Sequence, residues 1–267
     1  MNKTLALAML GPLLAANLVA QNGYQVVSVA NGGSISGTVT WSGPQPHLAS
    51  YRITKDPQIC DPDSQKMRDL ERLVIGPHGE VANTVVFLKD VSQGKAFDFP
   101  QSRRSLNQKQ CRYEPHILLV PEATELQMKS SDATLHTVHM DGAASYNLPF
   151  PFPDQVVSRD MKSPGLVNLK CNGGHVWMNA EMFVAPHPYY AVTDENGRFE
   201  LTNVPPGQYA IVAWHEGWGV VRQESSFDVL TERIVQRPVF TPPKTREKNV
   251  TVKPGAASVV SFVFSEK

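Results

Sequence analysis

The sequence predicts an all-β protein built from β-sandwiches, and three observations support this prediction. Short alternating or β-branched runs recur, and clusters of Pro, Gly, Asn and Asp of the kind that end strands separate them. Helical periodicity is weak, and the best candidate for a helix is 63–73, "DSQKMRDLERL". Short strands spaced in this way are typical of sandwiches. The predicted strands lie in SISGTVTW, NTVVFLKDV, PHILLVP, TELQMKS, GLVNLKC, GRFELTNV, QYAIVAW, KNVTVKP and SVVSFVF.

The first element, residues 1–20, is typical of a secretory signal peptide. It holds one lysine, then an apolar run, then small residues before Gln21. No later apolar run approaches the length of a transmembrane helix, so we expect no membrane span. We therefore expect cleavage near Ala20 and a mature protein that is periplasmic or secreted.

The charge balance argues against nucleic acid as a partner. The 267 residues include 25 basic and 25 acidic side chains, so the formal net charge is zero. No global electric field then attracts nucleic acid or an anionic membrane surface. The length allows a sizeable core and predicts two domains.

The middle of the chain resembles the cupredoxin, or blue-copper, family. The stretch "YEPHILLVPEATELQMKSSDATLHTVHM" has an aromatic-x-Pro start, a strand, a turn, a second strand and an Asp before His136. After a Pro-rich loop, "SPGLVNLKCNGGHVWM" ends the segment with Cys171, His175 and Met178. The resemblance implies a cupredoxin-like Greek-key sandwich over 101–185, with these four side chains as the ligands of one copper ion per chain.

The four residue types also suit copper on chemical grounds. Thiolate and thioether sulfur are soft ligands that favour copper, and imidazole accepts it readily. Blue-copper electron-transfer sites combine two imidazoles and one thiolate with a long axial Met. Gly173 and Gly174 permit the tight backbone that brings Cys171 and His175 to one ion. A dinuclear site would need a further cysteine where this chain has Val167, so we expect one copper.

The sequence departs from the family pattern at the residue after His136, and it contains further histidines that could bind the metal. Many cupredoxins have an Asn after the first His that braces the two ligand loops, but this chain has Thr137. Threonine offers only one hydroxyl, so we expect weaker bracing. His139 and His116 stay open as further ligands, although His139 should point away from His136 on an extended strand. "HEGWG" lacks the second His of a zinc-protease helix, which argues against a metalloprotease.

The chain contains three cysteines, Cys60, Cys111 and Cys171. Export to an oxidising compartment favours pairing, and an odd number leaves one thiol free within a monomer. If copper holds Cys171, the remaining pair is Cys60 with Cys111, which would link the first part of the chain to the copper domain. The alternative is two separate buried thiols, because sequence does not place the two Cα atoms within bridging distance.

The flanking segments resemble the carboxypeptidase regulatory-like, transthyretin-like β-sandwich. The stretches that carry this resemblance are "NGGSISGTVTWSG", "GEVANTVVFLKD" and "AVTDENGRFELTNVPPGQYAIVAWHEGWG". In the last stretch, 194–197 and 205–207 match the chemistry of turns between strands. The resemblance implies one sandwich in two parts, 30–98 and 186–267, interrupted by the copper domain. Insertion is tolerated where chain ends lie close together at a surface.

Together the two resemblances are similar to exported bacterial proteins labelled as methylamine-utilisation-like. They imply an exported type 1 copper protein that transfers one electron at a time and is not an enzyme. It would act with a redox partner protein, as a monomer or weak oligomer. Two alternatives stay open: a copper carrier with labile copper, and a metal-free structural or glycan-binding β-sandwich protein.

Overall fold

The computed structural model describes residues 23–228 and 232–266, and these residues are almost wholly β. The predicted all-β fold is confirmed. The signal peptide predicted for 1–20 lies outside the described residues. Two short helices are present in the described part of the chain, the α-helix Pro57–Cys60 and the 3-10 helix Gln101–Arg103.

The helix predicted over 63–73 is wrong. This segment contributes a short strand, Met67–Asp69, which pairs antiparallel with Ser50–Arg52. Leu70 and Leu73 are buried in two different hydrophobic cores. They therefore do not form the single apolar stripe that a helix would present to one core. Tertiary contacts therefore override a weak helical pattern.

The strands of the described residues are numbered here in chain order. They are β1 (Gln25–Val26), β2 (Gly33–Trp41), β3 (Ser50–Arg52), β4 (Met67–Asp69), β5 (Val85–Leu88), β6 (Gln93–Gly94), β7 (Ser105–Lys109), β8 (Arg112–Glu114), β9 (Ile117–Pro121), β10 (Thr124–Ser130), β11 (His136–Gly142), β12 (Tyr146–Phe150), β13 (Val156–Met161), β14 (Gly165–Lys170), β15 (Asn179–Ala185), β16 (Tyr190–Val192), β17 (Arg198–Val204), β18 (Gly207–His215), β19 (Val220–Asp228), β20 (Arg233–Phe240), β21 (Lys244–Val252), β22 (Ala257–Val259) and β23 (Phe262–Phe264).

Strands β7 to β15 form the first sandwich. One sheet has the order β13-β10-β7-β8, and the other has the order β12-β11-β14-β15-β9. Alternate side chains point inward, as the two-residue period of a strand requires. Leu126 and Met128 of β10 and Val138 and Met140 of β11 are therefore buried in one shared core. This sandwich carries the predicted copper ligands.

Strands from both sides of this segment form the second sandwich, and β1 with β6, β3 with β4 and β19 with β20 form separate two-stranded sheets. The sheets of the second sandwich have the orders β16-β5-β18-β21 and β17-β2-β22, and β23 also pairs with β2. The chain leaves this sandwich after β5 and returns at β16, which pairs antiparallel with β5. The exact bounds of the three predicted segments, 30–98, 101–185 and 186–267, stay predictions.

A third hydrophobic core joins the two sandwiches. It contains Ile117 of β9 and Phe183 of β15 from the first sandwich, and Val85 of β5 and Trp214 of β18 from the second. The rings of Phe183 and Trp214 meet edge to face with centroids 4.9 Å apart. Aromatic pairs in this geometry contribute beyond the area that they bury. The two sandwiches therefore pack on each other through apolar side chains.

A buried polar cluster lies beside this core. Arg72 forms an ion pair with Glu216 at 2.7 Å and donates to Glu181 at 3.5 Å, while His116 contacts the other oxygen of Glu216. All four side chains are buried. Buried charges are stable only when they are paired and hydrogen-bonded, and here the pairs cross between the sandwiches.

The hairpin of β19 and β20 extends from the second sandwich to the first. Arg237 donates to the backbone carbonyl of Cys171 at 2.6 Å, and Gln223 donates to the hydroxyl of Tyr51 at 2.7 Å. The hairpin thereby contacts the loop that holds the predicted ligands. Within the described ranges, no helix is long and apolar enough to cross a membrane.

Candidate metal centre

Three of the four predicted ligands lie together at one end of the first sandwich. His136 is the first residue of β11, Cys171 directly follows β14, and His175 lies in the loop between β14 and β15. Because β11 and β14 are antiparallel neighbours, the start of one strand lies beside the end of the other. One donor atom from each side chain lies within 4.8 Å of the other two, and all three residues are 0% exposed.

Both histidines present the same ring nitrogen to the cysteine. The Nδ1 atoms of His136 and His175 lie 3.9 and 3.8 Å from the Cys171 sulfur. Their Nε2 atoms instead contact carboxylates, Asp132 at 2.9 Å and Asp56 at 3.1 Å. An ionised carboxylate only accepts hydrogen bonds, so Nε2 carries a proton and Nδ1 is the nitrogen available to a metal.

The surroundings of Cys171 favour its thiolate form. Burial raises the pKa of the thiol, but hydrogen bonds and charges from His136 and His175 outweigh it and hold the pKa well below its ordinary value. Two backbone N–H groups also donate to the sulfur, from Thr137 at 3.4 Å and Gly173 at 3.3 Å. A thiolate is the form of cysteine that binds metals.

His136 carries the matching positive charge in the metal-free protein. Burial lowers its pKa, but hydrogen bonds to Asp132 and to the Cys171 sulfur outweigh burial and raise the pKa to about 9. A metal ion at Nδ1 must therefore displace a proton, as is general for histidine ligands.

The loop between the ligands needs both of its glycines. A Cβ atom on Gly173 would lie 3.1 Å from the carbonyl oxygen of Leu135 and 3.3 Å from the Cys171 sulfur, which is tighter than ordinary contact. Gly174 has a φ of 84°, in the left-handed region that glycine adopts most easily. Thus the close approach of the loop to β11 explains the Gly-Gly pair.

Thr137 contacts the ligand loop through its side chain, while the weaker bracing expected relative to Asn stays a prediction. Its hydroxyl accepts a hydrogen bond from the backbone N–H of Asn172 at 2.6 Å and lies 3.9 Å from the Cys171 sulfur. Because Thr137 directly follows His136 on β11 and both contacts go to the loop that begins at Cys171, a single hydroxyl joins the two ligand segments.

Met178 closes the ligand loop from a buried position. Its backbone N–H donates to the carbonyl of His175 at 3.0 Å, and its carbonyl accepts from the N–H of Cys171 at 3.4 Å. Its side chain belongs to the same hydrophobic core as Cys171 and Trp177. The role of Met178 as an axial ligand stays a prediction.

The two histidines left open by the sequence lie outside the cluster. His116 is buried against Glu216, in the polar cluster between the sandwiches. His139 lies three residues after His136 on β11, opposite Asn147 and Lys170 of the neighbouring strands. Neither side chain belongs to a possible metal-binding group of His, Cys, Asp and Glu in the part of the chain that the structure describes.

The two carboxylates and the neighbouring disulfide complete the site. Cys60 and Cys111 form a disulfide with Cα atoms 5.0 Å apart, and Cys171 is the free cysteine. Sequence reasoning noticed an Asp before His136 but missed its role, and it missed Asp56 entirely. Asp56 lies far from the ligand motifs in sequence, and no pattern around it signals a contact with His175.

The donor set fits a copper ion. After His136 has lost its Nδ1 proton, the set offers two imidazole nitrogens and one thiolate, all from residues that are 0% exposed. Soft thiolate together with imidazole suits copper, and carboxylates behind the imidazoles fix the ring orientation in the way that is general for metal-binding histidines.

Known proteins are similar to parts of this chain only. Residues 187–238 match the family model of the second β-sandwich domain of NOMO1-like subunits of the BOS complex. No curated protein matches the sequence.

Among solved structures, the chain is similar to a copper-containing nitrite reductase from Thermus scotoductus, with 16% identity and a TM-score of 0.29. That similarity covers 34% of this chain and only 24% of the nitrite reductase. The chain is also similar to a purple cupredoxin from Nitrosopumilus maritimus, with 15% identity over 30% of this chain and 98% of that one, and a TM-score of 0.27. A reduced amicyanin variant gives 18% identity over 38% and 98% of the two chains, with a TM-score of 0.29. The functional interpretation therefore depends on the residues of the site itself.

Proposed function

We propose that this protein is an exported mononuclear type 1 copper protein that transfers single electrons. The observation that carries the proposal is the pair of Nδ1 atoms, from His136 and His175, that face the Cys171 sulfur at 3.9 and 3.8 Å. Copper bound by these residues supplies a one-electron Cu(II)/Cu(I) couple. Met178 would complete the set as the weak axial ligand.

The burial of the site supports electron transfer over catalysis. His136, Cys171 and His175 are each 0% exposed, which disfavours direct contact between a substrate in solution and a metal held between them. Electrons can pass through protein atoms without such contact. The hydrogen bonds at both Nε2 atoms hold the rings in place, which limits movement of the ligands when the charge changes. We therefore propose an electron carrier and not an enzyme.

The cellular location and the partner that we propose are based on the rest of the chain. The segment 1–20 supports export to the periplasm or beyond the cell. A zero formal charge supports a protein partner over nucleic acid. We propose a redox partner protein that meets a monomer or weak oligomer of this chain.

Voltammetry of the copper-loaded mature protein tests this proposal against the two alternatives. A reversible one-electron wave, with copper still bound after repeated cycles, supports an electron carrier. Loss of copper on reduction would instead indicate a copper carrier, and absence of bound copper would indicate a metal-free sandwich protein. Cys171→Ser is the matched control, because it removes the thiolate and keeps both imidazoles.

A further inference from the structure

We propose that the Cys60–Cys111 disulfide ties together two carboxylates, Asp56 and Asp132, that position the two imidazoles of the metal centre. This inference rests on the proposed function and extends it to residues outside the predicted ligand set. Each carboxylate contacts one imidazole, and each lies one short connection from one half of the disulfide.

Asp132 holds His136 and is itself held by the turn that contains Cys111. Its Oδ2 atom lies 2.9 Å from Nε2 of His136 and accepts from the backbone N–H of Cys111 at 2.8 Å. Its Oδ1 atom accepts from the backbone N–H of Gln110 at 2.7 Å. Gln110 and Cys111 have φ values of 49° and 55°, a left-handed conformation that non-glycine residues adopt at a cost. The disulfide and Asp132 together hold this turn.

Asp56, which precedes the short helix Pro57–Cys60 and is not part of the first sandwich, contacts the His175 ring. Its Oδ2 atom lies 3.1 Å from Nε2 of His175 and accepts from the hydroxyl of Thr134 at 2.7 Å. Its own φ of 46° is also left-handed. The backbone carbonyl of Asp56 accepts from the N–H of Cys60 at 2.9 Å, within the single helical turn Pro57–Cys60. The position of Asp56 therefore depends on Cys60.

The disulfide lies directly beside the imidazoles. Both of its sulfurs and a ring nitrogen of His175 are within 4.8 Å of one another, and so are the Cys111 sulfur, an Asp132 oxygen and a ring nitrogen of His136. Both cysteines are 0% exposed. Arg68 reinforces the link, because its guanidinium donates to the carbonyls of both Cys60 and Gln110.

The arrangement has an electrostatic consequence. Two fixed negative charges next to the ligands stabilise Cu(II) more than Cu(I), because the oxidised ion carries one more positive charge. The Asp132 side chain is 6% exposed, whereas the Asp56 side chain is 27% exposed and better screened by water. Removal of either charge should raise the reduction potential, and Asp132 should have the larger effect.

The first test uses the metal-free protein, so it does not depend on copper. In 15N NMR spectra of the histidine rings, we expect Asp132→Asn to shift the His136 resonances and Asp56→Asn to shift those of His175. Loss of the disulfide through Cys60→Ser with Cys111→Ser should shift both rings. Asp63→Asn is the control, since this exposed residue of the same segment loses the same charge away from the site.

The second test measures reduction potentials of the copper-loaded variants. Asp132→Asn should increase the Cu(I) to Cu(II) ratio at a fixed potential about tenfold, which is about 59 mV for a one-electron couple. The serine pair should also change the potential, and that change should be smaller when Asp56 and Asp132 are already Asn. A full-sized change in that background would contradict the proposal.

The outcomes separate this inference from the proposed function. If the protein binds no copper, the proposed function fails, while the ring spectra still decide on the carboxylates. Unchanged ring spectra in the serine pair would overturn the role of the disulfide, and unchanged spectra in the Asn variants would overturn the role of the carboxylates. If the serine pair does not fold, spectra of the metal-free wild type before and after reduction with a water-soluble phosphine decide instead; the phosphine is oxidised to its oxide, with water as the oxygen source, as the disulfide becomes two thiols.

Discussion

His136 and His175 stand with their ring centroids 4.4 Å apart and turn the same nitrogen toward one sulfur. Each ring holds a carboxylate at its other nitrogen, so both tautomers are fixed by contacts behind the ligands. Once Nδ1 of His136 has lost its proton, a pair of rings fixed in this way offers two lone pairs to one ion without first rotating.

Replacement of Cys171 by Ser should abolish the visible thiolate-to-copper absorption. Serine offers no thiolate, and its hydroxyl is a hard donor that suits copper poorly. We expect copper affinity to fall at least about tenfold, with the far-ultraviolet circular dichroism little changed. Persistence of the visible band in this variant would place the copper at another cysteine or show that the band has a different origin.

Replacement of Met178 by Leu should retain copper and colour but raise the reduction potential. A long axial thioether favours Cu(II), and leucine removes that donor while nearly conserving volume. Met182→Leu is the matched control, since Met182 is buried in the same core but lies on β15 beyond the ligand loop. Loss of all copper would make Met178 a principal ligand, and an unchanged potential would show that it does not bind.

Removal of the disulfide by Cys60→Ser with Cys111→Ser should lower the free energy of unfolding by about 4 kcal/mol. This is the chain-entropy value for a crosslink with a sequence separation of 51. Guanidinium denaturation of the metal-free protein measures it. Thiol counting on the denatured wild type should find one reactive thiol, and a count of three would show that the bond does not form.

Glu181 should make stability fall as pH rises. Burial and the charge of Glu216 outweigh Arg72 and His116 and raise the pKa of Glu181 from 4.5 to about 8. The folded protein then keeps a proton that the unfolded chain loses, so this contribution is full below pH 4.5 and is lost as pH approaches 8.

Glu181→Gln should remove this decline, because glutamine has no proton to lose. From pH 5 to 8, the free energy of unfolding of the variant should gain at least about 1 kcal/mol relative to the wild type. Chemical denaturation of both metal-free proteins at several pH values measures the difference. The exposed Glu125→Gln should follow the wild type, and a parallel profile for Glu181→Gln would contradict the account.

Local sequence patterns predict the strands and the ligand loop because each depends on neighbouring residues. The alternation in "TELQMKS" produces the alternating burial of β10, and the Gly-Gly pair lies where the loop passes close to β11. These features follow from the period of a strand and from the backbone freedom of glycine.

The remaining features depend on contacts between distant segments. Asp56 reaches His175 across 119 positions of the chain, and Arg237 reaches Cys171 across 66. Neither residue stands in a local pattern that differs from an ordinary exposed loop or strand. The helix expected over 63–73 failed for the same reason, because its leucines pack into two separate cores.

Titration of the metal-free mature protein with Cu(II), followed by visible absorption, tests the central claim most directly. We expect a strong thiolate-to-copper band that grows linearly and stops at one copper per chain, and we expect no such band in Cys171→Ser. A wild-type protein that stays colourless and holds no copper after loading would contradict the claim.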